Sequence, residues 1–462
     1  MQKVKIGFLP LYVELYDLTC PEMRPKIEKF NNEVIEKLKE YADVYAVPIC
    51  RLEAEFKEAV RLFEEKDVDA VVTMHLDYSP SLESAPALAA VEVPIIILDT
   101  TCQYDFGPGQ SVDEIMYNHG IHGVQDMCNL LKRNGKTYFV EAGHWQHSDV
   151  IERVISRTRA AALAKALRNA RVGIAGEPFK GMGDFAVPYS EMYSEIGIKT
   201  IPYDFEWAEH QIQEITKEEI ESDIQKCREL FRIKDISREV WERSEKINLT
   251  IRKWIERENL DACTINFLAT ENQPGLPVMP FLEISRLMAA GVGYAGEGDV
   301  LTAALVGALL KVYPETTFTE MFCPDWKGNS ILVSHMGEIN TVLTAEKPVL
   351  VEKDFPFTSA ENPVTAYGCL KPGNAVLVDL APFGDGKYTL ILSEVEMLAV
   401  DGKDNLELSV HGWFRPKNCD ISRFLEQYSV QGGTHHLALV YADAEAELET
   451  FGRIMGFGVA VI

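Results

Sequence analysis

The first third of the chain alternates two local patterns, and nothing else in it limits the fold as strongly. Short runs rich in β-branched residues, Val4 to Leu9, Val44 to Pro48, Ala70 to Met74, Val93 to Leu98 and Thr137 to Glu141, are separated by segments 22–41, 52–66 and 121–133 that have helical spacing. Strands alternating with helices predict a parallel sheet covered by helices on both faces. Such sheets collect ligands beyond the carboxyl ends of their strands, where Tyr12, Glu14, His75 and the loop from Thr100 to Tyr104 would project.

The pattern restarts at Ala170 to Gly176, Ile198 to Ile201 and Ala262 to Phe267. Between the last two lies a highly charged stretch, 216–258, in which Trp241, Ile247, Ile251, Trp254 and Ile255 recur at helical spacing and predict amphipathic helices with both tryptophans in the core. The segment after Asp299 is apolar nearly all round and predicts a buried helix. From about 329 the pattern becomes strands joined by tight turns: Ile331 to His335, Pro348 to Glu352, Val364 to Leu370, Ala375 to Leu380, Lys387 to Val395 and Leu406 to Phe414. A helix near 443–456 and a strand from Gly458 to Ile462 follow. A chain of 462 residues exceeds one ordinary core. The expected organisation is therefore α/β: two doubly wound, Rossmann-like parallel-sheet domains at 1–170 and 171–326, then an antiparallel, β-barrel-like domain at 327–462.

Lys and Arg number 45 against 71 Asp and Glu, a formal charge of 45 − 71 = −26. That excess disfavours nucleic acid or an anionic membrane surface as a partner and suits a small neutral substrate. Nine scattered cysteines with no CxxC pair predict reduced thiols in a cytoplasmic protein. Cys323, before Pro324 and without a base at a recognisable spacing, reads as a buried thiol. No signal-peptide pattern or long apolar span occurs, so secretion and membrane insertion are not expected.

The candidate chemistry lies between Gly293 and His335, with one outlying segment. Glu297 stands in Gly-Tyr-Ala-Gly-Glu-Gly-Asp, where it reads either as a metal ligand or, with Asp299, as a helix cap. Glu320 lies in an apolar setting and must pair, protonate or bind metal. His335 ends a strand, where a lone histidine is more often a hydrogen-bonded core residue than a ligand, and only its combination with the other groups favours a ligand. Gly432-Gly433-Thr434-His435-His436 leads into another strand, and alternation would send one histidine to a site and the other away. Two glutamates and two histidines make the mixed oxygen and nitrogen shell that Mn²⁺ accepts.

These motifs, with Phe318-Thr319-Glu320, Lys327-Gly328-Asn329, Ser334-His335-Met336, His122-Gly123 and Gly143-His144-Trp145, resemble in order and approximate spacing those of the L-arabinose isomerase family, within the wider L-arabinose and L-fucose isomerase grouping. The resemblance implies a metal-dependent aldose–ketose isomerase working through a cis-enediol. It further implies that Glu297, Glu320, His335 and His436 bind Mn²⁺, with Co²⁺ or Mg²⁺ as alternatives, and that the two glutamates serve as acid and base. It places His122 where a residue completes a neighbouring subunit's site, with Phe267, His119 and His144 as further sugar contacts. A trimer or hexamer with sites at subunit interfaces is implied as well. The chain departs from the family pattern at Leu9 to Glu14, after Phe267, and at 321–326, which points to altered sugar recognition. The alternatives are an isomerase or epimerase of the same fold acting on a deoxy or acidic sugar, and a non-catalytic sugar-binding protein.

Overall fold

A computed structural model describes residues 3–462. The chain divides into two compact units, Met1–Lys165 and Ala166–Ile462. In the first, five strands form one parallel sheet: β1 (Lys5–Leu11), β2 (Asp43–Ala46), β3 (Ala70–His75), β4 (Ile95–Asp99) and β5 (Tyr138–Ala142), in the order β2-β1-β3-β4-β5. The strands lie where the β-branched runs predicted them, with ends shifted by a few residues. The helices Arg24–Lys39, Glu53–Glu65 and Ile121–Arg133 occupy the predicted intervals. Leu9, Val71, Ile95 and Ile97 from the strands and Phe56, Phe63 and Met127 from the helices form one buried cluster, because both patterns turn an apolar stripe to the same core.

The second unit contains two sheets. The smaller is parallel and orders β6 (Arg171–Ala175), β7 (Lys199–Pro202), β9 (Ala262–Ile265) and β10 (Gly293–Gly296) as β10-β9-β6-β7. A three-residue strand, β8 (Arg232–Lys234), interrupts the predicted helical stretch and leaves helices Lys217–Leu230 and Arg238–Glu258 on either side. Trp241 and Trp254 are buried there as expected. The helix Val300–Val312 lies against β10 and β9, and all of its residues but Lys311 are buried.

The larger sheet has ten strands. It contains β8, β11 (Thr316–Asp325), β12 (Ser330–His335), β13 (Val349–Glu352), β14 (Val364–Cys369), β15 (Gly373–Gly384), β16 (Lys387–Met397), β17 (Val410–Pro416), β18 (His436–Val440) and β19 (Gly458–Val461), in the order β19-β16-β15-β18-β11-β12-β17-β14-β13-β8. It is mixed rather than purely antiparallel: β8 runs parallel to β13, β14 to β17 and β19 to β16. Parallel neighbours need a long crossover. The helix Glu445–Met455 supplies one before β19, and the long excursion between β8 and β13 supplies another. The helix Ile421–Val430 carried no clear signal in the sequence and packs Phe424 on Phe414, with Ile331, Val333 and Leu377 in the same core.

Cys323 is exposed, contrary to the buried thiol expected. The outer half of β11 is exposed past a bulge at 321/323, and Phe322 and Trp326 are exposed as well, while Ile331 and Val333 of its hairpin partner β12 stay buried. All nine cysteines are free, and no helix among the described residues is long and apolar enough to cross a membrane.

Candidate metal centre

Glu297 follows β10, at the carboxyl end of the small parallel sheet. Its φ is +62°, a left-handed conformation that costs a non-glycine residue about 1–2 kcal/mol. The turn is held by two backbone bonds: Glu297 N–H donates to Ile265 O at 3.1 Å, and Phe179 N–H donates to Glu297 O at 2.8 Å. Two glycines admit neighbours here. A Cβ on Gly296 would lie 2.9 Å from His335 Cε1, and one on Gly298, whose φ is +88°, would lie 2.6 Å from Pro178 Cα.

Glu320 is placed by strand register. On β11 it stands directly opposite His436 of β18 and Ser334 of β12. Directly opposed residues share a face, so the carboxylate and the imidazole meet: His436 Nε2 lies 3.0 Å from Glu320 Oε1 and 3.6 Å from Glu297 Oε2. His335, at the end of β12, brings its Nε2 to 3.5 Å from Glu320 Oε1. His435 does not turn away. Because β18 begins at His436, His435 lies outside the pleat, and its Nε2 is 3.8 Å from Glu297 Oε2 and 3.9 Å from Glu320 Oε1. Glu297, Glu320, His435 and His436 each offer one ligand atom, and these atoms lie within 4.8 Å of one another.

All three imidazoles are oriented by a carboxylate behind them. His335 Nδ1 donates to Glu338 Oε2 at 2.6 Å, His436 Nδ1 to Asp299 Oδ2 at 2.9 Å and His435 Nδ1 to Asp184 Oδ2 at 2.6 Å. Carboxylates behind ligating histidines fix the tautomer and aim Nε2 at the ion. Glu338 is itself held by the Tyr294 hydroxyl at 2.9 Å. Asp299 satisfies both readings of Glu-Gly-Asp, since its other oxygen accepts from Thr302 N–H at 2.9 Å and caps the helix Val300–Val312.

The facing atoms fit a metal ion. Among the described residues, Glu297 Oε2, His335 Nε2 and His436 Nε2 are buried without a hydrogen-bond partner. The facing donors lie 3.0 to 3.9 Å apart, between the roughly 3 Å edge and the roughly 4.2 Å diagonal of an octahedron with bonds of about 2.1 Å. Burial pushes Glu297 up, but the facing imidazoles of His435 and His436 outweigh this and hold its carboxyl down at about 2. Glu320 is lowered as well, because His335 and His436 overcome its burial. Burial opposes a charge on His335 and His435, yet Glu338 and Glu320 raise His335 to about 10, and Asp184 and Glu297 raise His435 to about 9. Phe185 stacks on His436, its ring centroid 5.0 Å away, and Phe318 meets both His335 and His436 edge-on, so the walls are apolar.

Phe267 is buried after β9, with its ring 5.5 Å from that of Phe179. The other expected sugar contacts belong to the first unit. There the helix Ile121–Arg133 begins beside His119, whose Nδ1 is 2.8 Å from Asp77 Oδ1 and whose Nε2 is 3.2 Å from the Tyr16 hydroxyl. His122 lies 5.5 Å from His119 between ring centroids, and His144 packs against Tyr104 and His147. Sequence reasoning missed Glu338, Asp184 and Asp77. Glu338 stood three residues after His335, a spacing that could have suggested a partner, whereas nothing local links Asp184 to His435.

Two family models match the chain: the L-arabinose isomerase central domain over residues 192–314 and the L-arabinose isomerase C-terminal domain over 315–458. The L-arabinose isomerase of Shouchella clausii is 25% identical, with 99% of this chain and 93% of that protein covered. That of Geobacillus thermodenitrificans is 26% identical over 85% of this chain and 80% of its own length, and L-arabinose isomerase 2 of Bacillus licheniformis is 26% identical over 86% and 85%. Both domain matches and near full-length likeness at about a quarter identity lead to one conclusion: the chain belongs to the L-arabinose isomerase family, as a divergent member.

Proposed function

We propose that this protein is a Mn²⁺-dependent aldose–ketose isomerase acting on a free monosaccharide. The observation that carries the reading is the convergence of Glu297 and Glu320 on imidazoles whose Nδ1 atoms are tied to carboxylates, while buried Nε2 atoms of His335 and His436 lack a partner. Glu297, Glu320, His335 and His436 would hold the ion, with His435 as a further donor. Their mixed oxygen and nitrogen set suits Mn²⁺ and also admits Co²⁺ or Mg²⁺. Such an ion supplies stabilisation of negative charge developing on the sugar oxygens.

The chain's own groups handle the protons. One glutamate removes the proton from C2 as the C1 carbonyl oxygen gains one, giving a cis-enediol. Return of a proton to C1 and loss of one from O2 give the ketose. Both carboxylates are held ionised by neighbouring imidazoles, so each has a lone pair with which to accept. Phe185 and Phe318 exclude water around the histidines. We assign Phe267, His119, His122 and His144 to sugar contact, with His122 completing a neighbouring subunit's site in a trimer or hexamer, as the resemblance implies.

The departure at 321–326, on the exposed outer half of β11, favours a sugar other than arabinose, including a deoxy or acidic one. We also read Ala166–Ile462 as two domains parting near 326, a division supported by the nearby change of family model at 314/315. The additional pairing of β16 with β17 supports a small barrel within the second of them. The test is an aldose panel with Mn²⁺, read as ketose formation and as exchange of the C2 proton in deuterated water. A protein that binds no divalent ion and exchanges no C2 proton is not an isomerase, and sugar binding without exchange would leave the non-catalytic reading.

A further inference from the structure

The segment Gly432 to His436 brings two imidazoles to the site, yet its two glycines give it little stiffness of its own. What holds it lies on a different strand. Asp379 stands in the apolar middle of β15 and is 1% exposed. Its Oδ2 accepts from Thr434 N–H at 2.8 Å and from the Tyr428 hydroxyl at 2.9 Å. The Thr434 hydroxyl lies 2.8 Å from Asp379 Oδ1 and 2.7 Å from the backbone carbonyl of His436. The Tyr428 hydroxyl is also 2.6 Å from Thr434 O.

Counting protons shows how these contacts work together. The Thr434 hydroxyl has one proton and two acceptors in reach, so it cannot serve both Asp379 Oδ1 and His436 O. A proton on Asp379 Oδ1 resolves this for Thr434: Asp379 donates to Thr434 Oγ1, which donates to His436 O, while Tyr428 shares its one proton between Asp379 Oδ2 and Thr434 O. Burial, which pushes the Asp379 carboxyl up to about 7 against the pull of its Thr434 bonds, agrees with that count. A carboxyl group buried in a strand of Val, Leu and Ala also has no packing reason to be polar.

We propose that Asp379 is a positioning residue that, through Thr434, locks the backbone from which His435 and His436 reach the metal centre. The inference rests on the isomerase reading only in taking that centre to bind Mn²⁺. An asparagine has the same shape, with an N–H₂ where the proton sits and an oxygen for Thr434 N–H and Tyr428, so it should replace the acid. Alanine, or removal of the Thr434 hydroxyl, should not.

The test measures Mn²⁺ affinity by electron paramagnetic resonance of the free ion, alongside the melting temperature of the metal-free protein, for wild type, Asp379→Asn, Asp379→Ala and Thr434→Val. Disturbed support for a ligating histidine weakens metal binding about 10- to 100-fold. Asp379→Ala should show a loss of that size, and Thr434→Val about 10-fold with its melting temperature close to wild type. Asp379→Asn should stay within about threefold of wild type. Thr434→Val decides the matter if Asp379→Ala does not fold. Wild-type binding with unchanged affinity in Thr434→Val, or Asp379→Asn as weak as Asp379→Ala, overturns the positioning role alone. No Mn²⁺ binding by wild type overturns the metal reading and this inference together.

Discussion

Acidification should weaken divalent-metal binding to this protein far more steeply than it would at a site built from carboxylates alone. Without an ion, the imidazoles facing Glu297 and Glu320 keep their protons: His335 is raised to about 10, His435 to about 9 and His436 well above its ordinary value, all against the effect of burial. An ion bound through Nε2 must displace a proton from each imidazole that ligates it. With two such imidazoles, two protons leave, and the logarithm of the affinity rises by about two per pH unit up to about pH 9. Between pH 6 and 8 that is two protons over two pH units, about four times 1.4 kcal/mol or ~5.5 kcal/mol, close to 10⁴-fold in affinity. Mn²⁺ titrations at pH 6, 7 and 8 measure the slope. Calorimetry in two buffers of different ionisation enthalpy counts the protons independently. Release of fewer than about half a proton per ion at pH 7 would refute the reasoning, since the histidines would then be neutral or would not ligate.

Glu320→Gln should lower ketose formation by about 10²- to 10⁴-fold while the melting temperature moves by only a few degrees, because it removes a proton acceptor and keeps the volume. Glu297→Gly should abolish turnover and lower the urea midpoint less than Glu297→Ala does, since both lose the carboxylate but glycine relieves the left-handed φ of +62°, worth about 1 kcal/mol; equal midpoints for the two variants would show that the turn is not strained. Asp299→Ala should cost about 2–4 kcal/mol in urea unfolding, combining the lost cap of Val300–Val312 with an unsatisfied His436 Nδ1, and Asp299→Asn clearly less. In the metal-free protein the raised His335 and His435 add stability below the unfolded value of about 6.5 that is lost as pH rises toward 9–10, and Glu297, held down to about 2, loses its share as pH falls through 4.5. Stability should therefore peak between about pH 5 and 6.5, and a urea midpoint that climbs from pH 7 to 9 would contradict this.

The strands and helices of the first sheet were legible because each is written in a local period. Ile95–Asp99 is a buried parallel strand with an unbroken apolar run, and Ile121–Arg133 turns Val124, Met127 and Leu131 to one side at helical spacing. Val300–Val312 announced its burial by being apolar all round. Where the local signal was weak or misleading, reading failed. The helix Ile421–Val430 follows a strand-rich region and is mostly polar outside Phe424 and Tyr428, and Cys323 lies in an apolar tetrapeptide that the outer half of β11 exposes to solvent.

By itself the sequence determined the identity of the reactive groups: Glu297, Glu320, His335 and the His435-His436 pair stand out because ionisable residues in apolar runs are expensive unless they do something. Only the tertiary structure decided how they meet. Register sets Glu320 opposite His436, the start of β18 frees His435 to join the cluster, Asp299 and Asp184 arrive behind the histidines, and Asp379 behind Thr434, from elements far from them in the chain. The physical reason is range. Periodicity records which face of an element is buried, over a few residues, whereas strand order, register and the partners of a buried polar atom are set by packing between segments far apart in the chain.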